Sequence, residues 1–308
     1  MFLKGCNMRC VWCHNPETLR PTFDILVQPT KCIRCGACVE ECTHGARKID
    51  EHTGDIAYRT DYCVSCGACA ESCYSSAIVR VGRNLSVSEV LLEVAEDRAY
   101  YDRSGGGVTI SGGEPTCQLE FTVALLRACR GHGLHAALET NLYAPWDRVE
   151  IALREADLVM FDIKLMSQVR HREATGVSNT RILHNATRLS QLGTPLIVRT
   201  PVVPGYNDTP LEIGKIARYI SRFPSLLYYE LLPFHPLGTS KYESLGMPYL
   251  MGGVHEPSPD SMRALADSAR EAGIAVKIAG LIDGQVQASG DDNDNGNAFA
   301  APFLLGQT

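Results

Sequence analysis

Three cysteines at the start of the chain constrain this sequence more than any other feature. Cys6, Cys10 and Cys13 are spaced C-x3-C-x2-C. Three thiolates can hold a four-iron cluster and leave its fourth iron without a protein ligand, and an open metal position is a site for chemistry. The alternatives are a zinc site that His14 completes, or three unrelated thiols. Three cysteines within so short a segment favour a metal.

Two longer cysteine runs follow, and both are spaced C-x2-C-x2-C-x3-C. In the bacterial ferredoxin pattern the fourth cysteine of each run ligates the other cluster. Thr43 and Tyr74 stand where that pattern usually has proline. A pair of zinc sites is the alternative, but zinc sites favour CxxC pairs that are separated by longer spacers. The spacing therefore predicts two iron–sulfur clusters, one held by Cys32, Cys35, Cys38 and Cys73, the other by Cys63, Cys66, Cys69 and Cys42.

Composition limits the remaining possibilities. The 308 residues suffice for one large domain and a small insert. Most of the 13 cysteines are already assigned as ligands, so they do not indicate a disulfide scaffold. We expect Cys117 and Cys129 to fill the core. No signal peptide and no apolar run of membrane-spanning length is visible, and the net charge of −6 argues against nucleic acid. We expect a cytoplasmic protein in a reducing, anoxic setting.

Beyond residue 84 the sequence alternates strands and helices. Strands are predicted over Val108–Ser111, Ala136–Glu139, Asp157–Ile163, Pro195–Val203, Leu226–Leu232 and Ile274–Ile278. Helices are predicted over Gln118–Arg130, Trp146–Arg154, Asn179–Gln191, Thr209–Phe223 and Ser258–Ala272. This alternation predicts an α/β fold with a parallel sheet and right-handed crossovers. The strands are too few for a closed eight-fold barrel, so we predict a partial, TIM-like (β/α)6 barrel.

The barrel is predicted to be interrupted by the cluster-binding segment. Residues 1–26 begin the barrel, residues 27–84 form a ferredoxin-like insert with two clusters, and residues 85–283 complete the barrel. Residues 284–308 are rich in Gly, Asn and Asp and are predicted to be a disordered tail. In parallel sheets of this kind, chemistry collects at the carboxyl ends of the strands. The polar residues expected there are Glu114, Glu139, Asp162, Lys164, Arg199 and His235.

Taken together, these motifs resemble a known family. The chain resembles the radical S-adenosylmethionine (SAM) activating enzymes of glycyl radical enzymes, which are similar to pyruvate formate-lyase activating enzyme. It resembles the subgroup with two additional ferredoxin-type clusters. The order and number of the shared motifs make the resemblance specific, and it extends to about residue 280. Besides the cysteine runs, the motifs are FLKGC, Trp12–Glu17, Gly105–Pro115, Glu139–Asn141, Asp162–Lys164, Thr175–Gly176 with Asn179, Arg199–Asp208 and Leu231–His235.

The resemblance implies a radical SAM barrel, three 4Fe-4S clusters and SAM. SAM would bind the open iron of the cluster held by Cys6, Cys10 and Cys13 through its amino and carboxylate groups. One electron from that cluster would cleave SAM into methionine and a 5′-deoxyadenosyl radical. The radical would abstract hydrogen from a backbone glycine of a partner protein. The implied partners are a glycyl radical enzyme and a flavodoxin or ferredoxin-type electron donor, with no nucleic acid and no membrane.

The resemblance also implies which residues contact SAM. Trp12, His14 and His235 would contact the nucleoside, with core packing as the alternative for Trp12. Gly113 would let its backbone approach the SAM amino group. Arg199 would offer a bidentate contact to a carboxylate.

The segment Asp162-Ile163-Lys164 would line the SAM site and bring the cation of Lys164 to the SAM carboxylate and ribose. Lys164 therefore joins the three cysteines in the expected catalytic set. Glu139 and Asp162 match positions that hold a monovalent cation in the family. We expect no ion pair between Asp162 and Lys164, on the argument that strand neighbours point to opposite faces.

Two other functions stay open at this point. One is a radical SAM enzyme that acts on a small molecule. The other is a ferredoxin-like electron carrier with a degenerate barrel, for which Cys6, Gly113 and Lys164 would be dispensable. Family members carry an Asp- and Gly-rich stretch and most of the first strand ahead of FLKGC, whereas here Met1 stands at that strand. We therefore expect the chain to be truncated before Phe2.

Overall fold

The structure is a computed structural model that describes residues 1–280. The tail expected over residues 284–308 lies outside the described residues. The strands are β1 (Phe2–Leu3), β2 (Asp24–Val27), β3 (Arg47–Ile49), β4 (Ile56–Tyr58), β5 (Ile78–Val81), β6 (Val108–Gly112), β7 (Ala136–Thr140), β8 (Leu158–Asp162), β9 (Leu196–Val202), β10 (Leu226–Pro233) and β11 (Val276–Ile278). The α-helices are α1 (Ala37–Glu40), α2 (Ala68–Glu71), α3 (Val87–Ala95), α4 (Arg98–Ser104), α5 (Leu119–Gly131), α6 (Trp146–Glu155), α7 (Gln168–Thr175), α8 (Thr180–Leu189), α9 (Pro210–Ile220), α10 (Thr239–Leu245) and α11 (Pro259–Arg270).

One large sheet organises the chain. Its strand order is β1-β6-β7-β8-β9-β10-β11, and every adjacent pair is parallel. Helices separate consecutive strands from β6 onward, so the sheet grows in one direction along the chain. The predicted α/β fold with a parallel sheet that forms an open, partial barrel is confirmed, and β1 adds a seventh strand to the six that were predicted from periodicity.

The central strands are buried on both faces, as strands of a parallel sheet covered by helices should be. On β8, Val159 and Phe161 are fully buried in the main hydrophobic core. Met160 points the other way and packs with Ala137 of β7 and Ile197 of β9 on the opposite face. This two-sided burial explains why β8 reads as a continuous apolar run rather than an alternating one.

Local signals set several helix starts. The Ser86 hydroxyl accepts from the Glu89 amide and the Glu89 carboxylate accepts from the Ser86 amide, so α3 begins with a capping box. Periodicity did not predict α7, whose sequence is largely charged and polar and whose buried residues include His171 and Thr175. Its helical form depends on packing rather than on an apolar stripe.

The insert consists of two short antiparallel sheets and two short helices. β2 pairs with β5 where the segment leaves and rejoins the barrel, and β3 pairs with β4. The two cysteine runs adopt the same backbone: Arg34 and Ser65 both have φ near +57°, and Gly36 and Gly67 both lie in the left-handed region. The insert is therefore an internal repeat in conformation as well as in sequence.

A buried carboxylate joins the insert to the barrel. Asp24, the first residue of β2, is 2% exposed and accepts a hydrogen bond of 2.7 Å from Lys4 Nζ. Arg20 pairs with the second oxygen of the same carboxylate. Lys4 follows β1 directly and precedes the first cysteine motif, so this ion pair links the insert to the loop that carries that motif.

We expect Asp24→Ala to destabilise the protein by about 3 kcal/mol, because it leaves the largely buried Lys4 ammonium without its carboxylate partner. Denaturant unfolding under anaerobic conditions measures this loss of unfolding free energy. Asp260→Ala is the matched control, because Asp260 pairs with Arg263 at a fully accessible surface and should change stability by less than about 1 kcal/mol. Equal effects of the two substitutions would contradict a role for Asp24 in the junction.

Candidate functional site

The first cysteine motif lies in the loop that follows β1, at the carboxyl edge of the large sheet. Backbone hydrogen bonds hold both halves of this loop. The Gly5 amide donates to the Thr18 carbonyl at 2.8 Å, and the Arg9 and Val11 amides donate to carbonyls at the end of α7 at 2.8 and 2.9 Å. α7, which periodicity did not predict, therefore positions the cysteine loop.

The three thiols of this loop lie in a poorly solvated setting. Burial raises the pKa of Cys10 to about 12 and the pKa of Cys13 to about 11, and it also raises the pKa of Cys6. Thiolates need a compensating positive charge in such a setting, and an iron cluster supplies one. Within residues 1–280, no three His, Cys, Asp or Glu side chains converge on one metal ion. The three thiols fit a cluster, in which each thiolate binds a different iron.

Lys164 brings a cation to these thiols. Its ammonium is largely buried and pairs with Asp162 Oδ2. Burial alone would lower the pKa of Lys164, but the charges of Asp162 and Cys10 outweigh it and raise the pKa, so the side chain stays charged. The expectation that Asp162 and Lys164 would not pair was wrong. Residues two apart along a strand share a face, and Lys164 lies just beyond the end of β8.

The second oxygen of Asp162 has no partner. Oδ1 is buried and accepts no hydrogen bond from any described residue. A buried acceptor of this kind favours a ligand group or ion that completes it. Ile163 has its side chain in the hydrophobic core, and its amide and carbonyl bond to the Arg199 carbonyl and the Thr200 hydroxyl. Its expected contact with SAM stays a prediction.

Arg199 of β9 pairs with a carboxylate on the adjacent strand β10 and with one on β7, which lies beyond β8. Its Nη1 donates to Glu139 Oε1 at 3.1 Å and its Nε donates to Glu230 Oε2 at 2.8 Å. Burial alone would lower its pKa, and these carboxylates raise it above the ordinary value. Arg199 is thus paired with two protein carboxylates rather than being free to bind the carboxylate of a ligand. The monovalent cation expected between Glu139 and Asp162 stays a prediction, since Glu139 is paired with the guanidinium.

Glu114 ties together the loops that follow β6 and β7. Its side chain is fully buried, and Oε1 accepts from the Thr116 amide and from the hydroxyls of Thr116 and Thr140. Oε2 accepts from the Asn141 amide at 2.6 Å. Burial raises the pKa of Glu114 and these donors oppose the rise. Glu114 therefore holds the two loops in register.

Asn141 is a site residue that the sequence interpretation did not single out. Its Nδ2 donates to Asn7 Oδ1 at 2.8 Å and lies 4.0 Å from Cys6 Sγ. Asn7 in turn donates to the Tyr143 carbonyl. The signal was available in the motif Glu139-Thr140-Asn141, of which only the glutamate was interpreted. Asn141 connects the cysteine loop to the end of β7.

Glycine is required at position 113 by close backbone contact. A Cβ there would meet the Gly5 carbonyl oxygen at 2.4 Å and the Thr18 carbonyl oxygen at 2.6 Å. The Gly113 amide itself donates to the Leu3 carbonyl at 2.9 Å. Close packing thus explains the glycine at position 113. The expected approach of its backbone to the SAM amino group stays a prediction.

Two histidines stack beside the cysteine loop. The rings of His14 and His235 are 4.0 Å apart, and His14 Nε2 and His235 Nδ1 are buried without a partner. Burial, and then the neighbouring His235, lower the pKa of His14 to about 4, so its ring is neutral at pH 7. Trp12 is 5% exposed and packs with Phe234, as its core-packing alternative proposed. Stacked imidazole rings with unsatisfied nitrogens suit a nucleoside, whose base and ribose carry matching donors and acceptors.

The two cysteines outside the motifs differ. Cys129 is fully buried in the main core, as expected. Cys117 is exposed, so its predicted place in the core was wrong. It lies in the short turn that follows Glu114.

In the insert, the structure brings the eight cysteines together in two groups of four. One cavity is lined by Cys42, Cys63, Cys66 and Cys69, and the second is lined by Cys32, Cys35, Cys38 and Cys73. Each group takes three cysteines from one run and the fourth from the other.

The exchanged cysteines lie among backbone amides. Burial raises the pKa of Cys42, but the amides of residues 44–47 outweigh it, and the net effect lowers the pKa. The pKa of Cys73 is lowered by the same balance, with the amides of Ser75, Ala77 and Ile78 and the Ser75 hydroxyl as the donors. N–H groups directed at sulfur stabilise thiolate and tune clusters in iron–sulfur proteins. The two groups fit four-iron clusters.

None of the helices within residues 1–280 has the length and apolar character that a membrane span requires.

Known proteins resemble this chain throughout. The Radical SAM superfamily profile matches residues 59–215 and a 4Fe-4S dicluster domain profile matches residues 31–77. The isethionate sulfite-lyase activating enzyme of Nitratidesulfovibrio vulgaris is 43% identical, over 82% of this chain and 84% of that protein. The (2S)-3-sulfopropanediol dehydratase activating enzyme of Klebsiella oxytoca is 41% identical, over 82% of each. Among solved structures, a domain of pyruvate-formate lyase-activating enzyme from Bacteroides vulgatus is 27% identical, covers 57% of this chain and 99% of that one, and has a TM-score of 0.49.

The matching profiles cover the two cysteine runs of the insert and the strands β6 to β9 of the large sheet, and the similar activating enzymes align over most of their own length. Iron–sulfur clusters and SAM are therefore its cofactors, and a glycyl radical enzyme is its protein partner. The chain belongs to the radical SAM superfamily and, within it, to the activating enzymes of glycyl radical enzymes.

Proposed function

We propose that this activating enzyme works with three 4Fe-4S clusters, one catalytic and two in the insert. The catalytic cluster is held by Cys6, Cys10 and Cys13. The observation that carries the proposal is the grouping of the insert cysteines, four around each of two cavities with one member exchanged between runs. This exchange matches the ligand pattern of two-cluster ferredoxins. The 4Fe-4S dicluster domain profile that matches residues 31–77 favours iron over a pair of zinc sites.

When bound, the catalytic cluster and SAM supply reductive cleavage to a 5′-deoxyadenosyl radical, which abstracts hydrogen from a backbone glycine of the partner. The chain's own residues position and charge the site. Lys164 keeps a positive charge beside Cys10 and would be available to the carboxylate of SAM. The free oxygen of Asp162 and the unpartnered ring nitrogens of His14 and His235 are the polar groups available to the nucleoside. Glu114 and Asn141 hold the surrounding loops.

We propose the division into a barrel, residues 1–26 and 85–283, and an insert, residues 27–84. Supporting this, β2 and β5 pair at the point where the insert departs and returns. Ile25, next to the junction residue Asp24, lines the cavity of Cys42, Cys63, Cys66 and Cys69, whereas Val27 lines the other cavity. The first cavity is therefore nearer to the barrel along β2, and we place its cluster between the outer cluster and the catalytic one in an electron relay.

The relatives suggest what the partner does. They are activating enzymes of a sulfite-lyase and of a dehydratase, both for small sulfonates by their names. We propose a glycyl radical lyase or dehydratase as the partner, a flavodoxin or ferredoxin-type protein as the electron donor, and a reducing cytoplasm as the setting. A carrier function would leave Lys164 and the Glu114 network without a purpose, and an enzyme for small molecules would not account for the similarity to activating enzymes.

Cys10→Ala should abolish SAM cleavage, because it removes one of three ligands of the catalytic cluster. Formation of 5′-deoxyadenosine by the reduced, reconstituted protein measures the loss, which we expect to exceed about a thousandfold. Cys129→Ala is the control, because Cys129 lies in the core away from the cysteine loop and should retain iron content and cleavage. Cleavage at the wild-type rate by the Cys10 variant would exclude the assigned cluster.

Cys35→Ala should separate the two electron routes. With a strong chemical reductant, which reduces the catalytic cluster directly, most SAM cleavage should remain. With a protein donor, which must deliver electrons through the insert, cleavage should fall at least tenfold. Equal losses with both reductants would assign the insert a structural role only.

Mixing the reduced enzyme and SAM with candidate glycyl radical enzymes should identify the partner. A glycyl radical signal in electron paramagnetic resonance is expected only with the cognate enzyme, and an isethionate sulfite-lyase and a sulfopropanediol dehydratase are the first to test. Replacement of the partner's radical-bearing glycine by alanine is the control. Cleavage of SAM without any radical on a protein would contradict the partner class.

A further inference from the structure

Arg47 lies between the two cysteine groups of the insert. It is the first residue of β3, its side chain is 3% exposed, and it lines both cavities. Nη2 lies 3.9 Å from Cys69 Sγ, and its charge also acts on Cys38 of the other group. One guanidinium is therefore shared by two sites that each carry four thiols.

Among residues 1–280, the charge of Arg47 has no carboxylate counterion. None of the ion pairs among residues 1–280 includes it, and Nη1 is buried without a hydrogen-bond partner. Its neighbour is the ring of Tyr58, directly across β3 and β4, with the guanidinium carbon 3.8 Å from the ring centre. Burying an unpaired cation is costly. An anion in the cavities would remove that cost.

The internal repeat shows that the fold does not require a cation at this position. Arg47 stands five residues after Cys42, and Ile78 stands five residues after Cys73. The two runs share their backbone conformation, and Ile78 is also buried. An aliphatic side chain thus fills the equivalent buried position in the second repeat. Packing therefore does not explain why the first repeat has an arginine there.

We propose that Arg47 places a fixed positive charge beside the cluster held by Cys42, Cys63, Cys66 and Cys69. This charge raises the reduction potential of that cluster relative to the potential of the other insert cluster. The inference rests on the proposed presence of clusters in the insert. A four-iron cluster with four thiolate ligands is an anion, and each added electron makes it more negative. A cation fixed beside it favours the reduced form. Because Arg47 is closest to Cys69, the cluster nearer the barrel gains most.

This arrangement would give the relay a direction. Electrons entering at the outer cluster would find the next site easier to reduce. Without the cation, two repeats of the same backbone would give clusters of closely similar potential.

The test is a redox titration of the full-length, anaerobically reconstituted enzyme, followed by electron paramagnetic resonance. Arg47→Ile copies the residue of the second repeat. We expect it to lower the reduction equilibrium constant of one insert cluster at least tenfold, which is a shift of about 59 mV for one electron. The catalytic cluster, recognised by the change in its signal when SAM is added, should keep its potential. Combination with Cys66→Ser or Cys35→Ser assigns the affected cluster.

Two further variants make the result specific. Arg59→Ile removes a cation of the same insert that also lies over a tyrosine ring, 3.7 Å from the centre of Tyr62, but lines neither cavity, and it should leave both potentials unchanged. If Arg47→Ile fails to assemble clusters, Arg47→Lys and Arg47→Gln are compared, since both keep hydrogen-bond donors and only lysine keeps the charge. Lysine should retain the wild-type potential and glutamine should not.

The result that would overturn the proposed function differs from the result that would overturn this inference. Wild-type protein without iron in the insert would overturn the proposed function itself. Intact clusters whose potentials are equal in wild type, Arg47→Ile and Arg47→Gln would overturn this inference alone.

Discussion

All strands of the large sheet run in one direction, and the rest of the site depends on this constraint. Parallel strands bring their carboxyl ends to a single edge, so the loops after β1, β6, β7 and β8 meet there although more than a hundred residues separate the first from the others. Glu114 and Asn141 stabilise this meeting through hydrogen bonds between loops. The three cysteines, local in sequence, become a site only because that edge surrounds them.

In both parts of the molecule, a basic side chain lies close to cysteine thiols. The thiols after β1 are buried near Lys164, and the thiols of the insert are close to Arg47. The two cations differ in their own partners. Lys164 pairs with the carboxylate of Asp162, whereas Arg47 pairs with no carboxylate among residues 1–280 and lies over the ring of Tyr58. A cation without a counterion acts on its surroundings with its full charge, so Arg47 is the stronger influence on whatever fills the neighbouring cavities.

The sequence predicted much of the fold because its strongest signals are local. Continuous apolar strands and amphipathic helices repeat with periods that backbone geometry imposes, and the observed bounds agree with the predictions to within a few residues. α7 was missed because its burial depends on the cysteine loop packed against it rather than on an apolar stripe. The sequence argued against an Asp162–Lys164 ion pair because adjacent residues of a strand point to opposite faces. The two residues are two positions apart, however, and therefore share a face. Cys117 was placed in the core because a short turn gives no periodicity from which to infer its direction.

The amino-acid sequence by itself determined the cysteine spacings, and with them the kind of metal chemistry and the family, because ligand spacing is a property of a short stretch of backbone. It also determined the alternation of strands and helices. Tertiary structure alone decided which side chains face each other: Arg199 with Glu139 and Glu230, His14 against His235, and Arg47 between two cavities rather than in one. Those contacts join residues far apart in the chain, and they depend on strand register and on packing between layers, which no local pattern encodes.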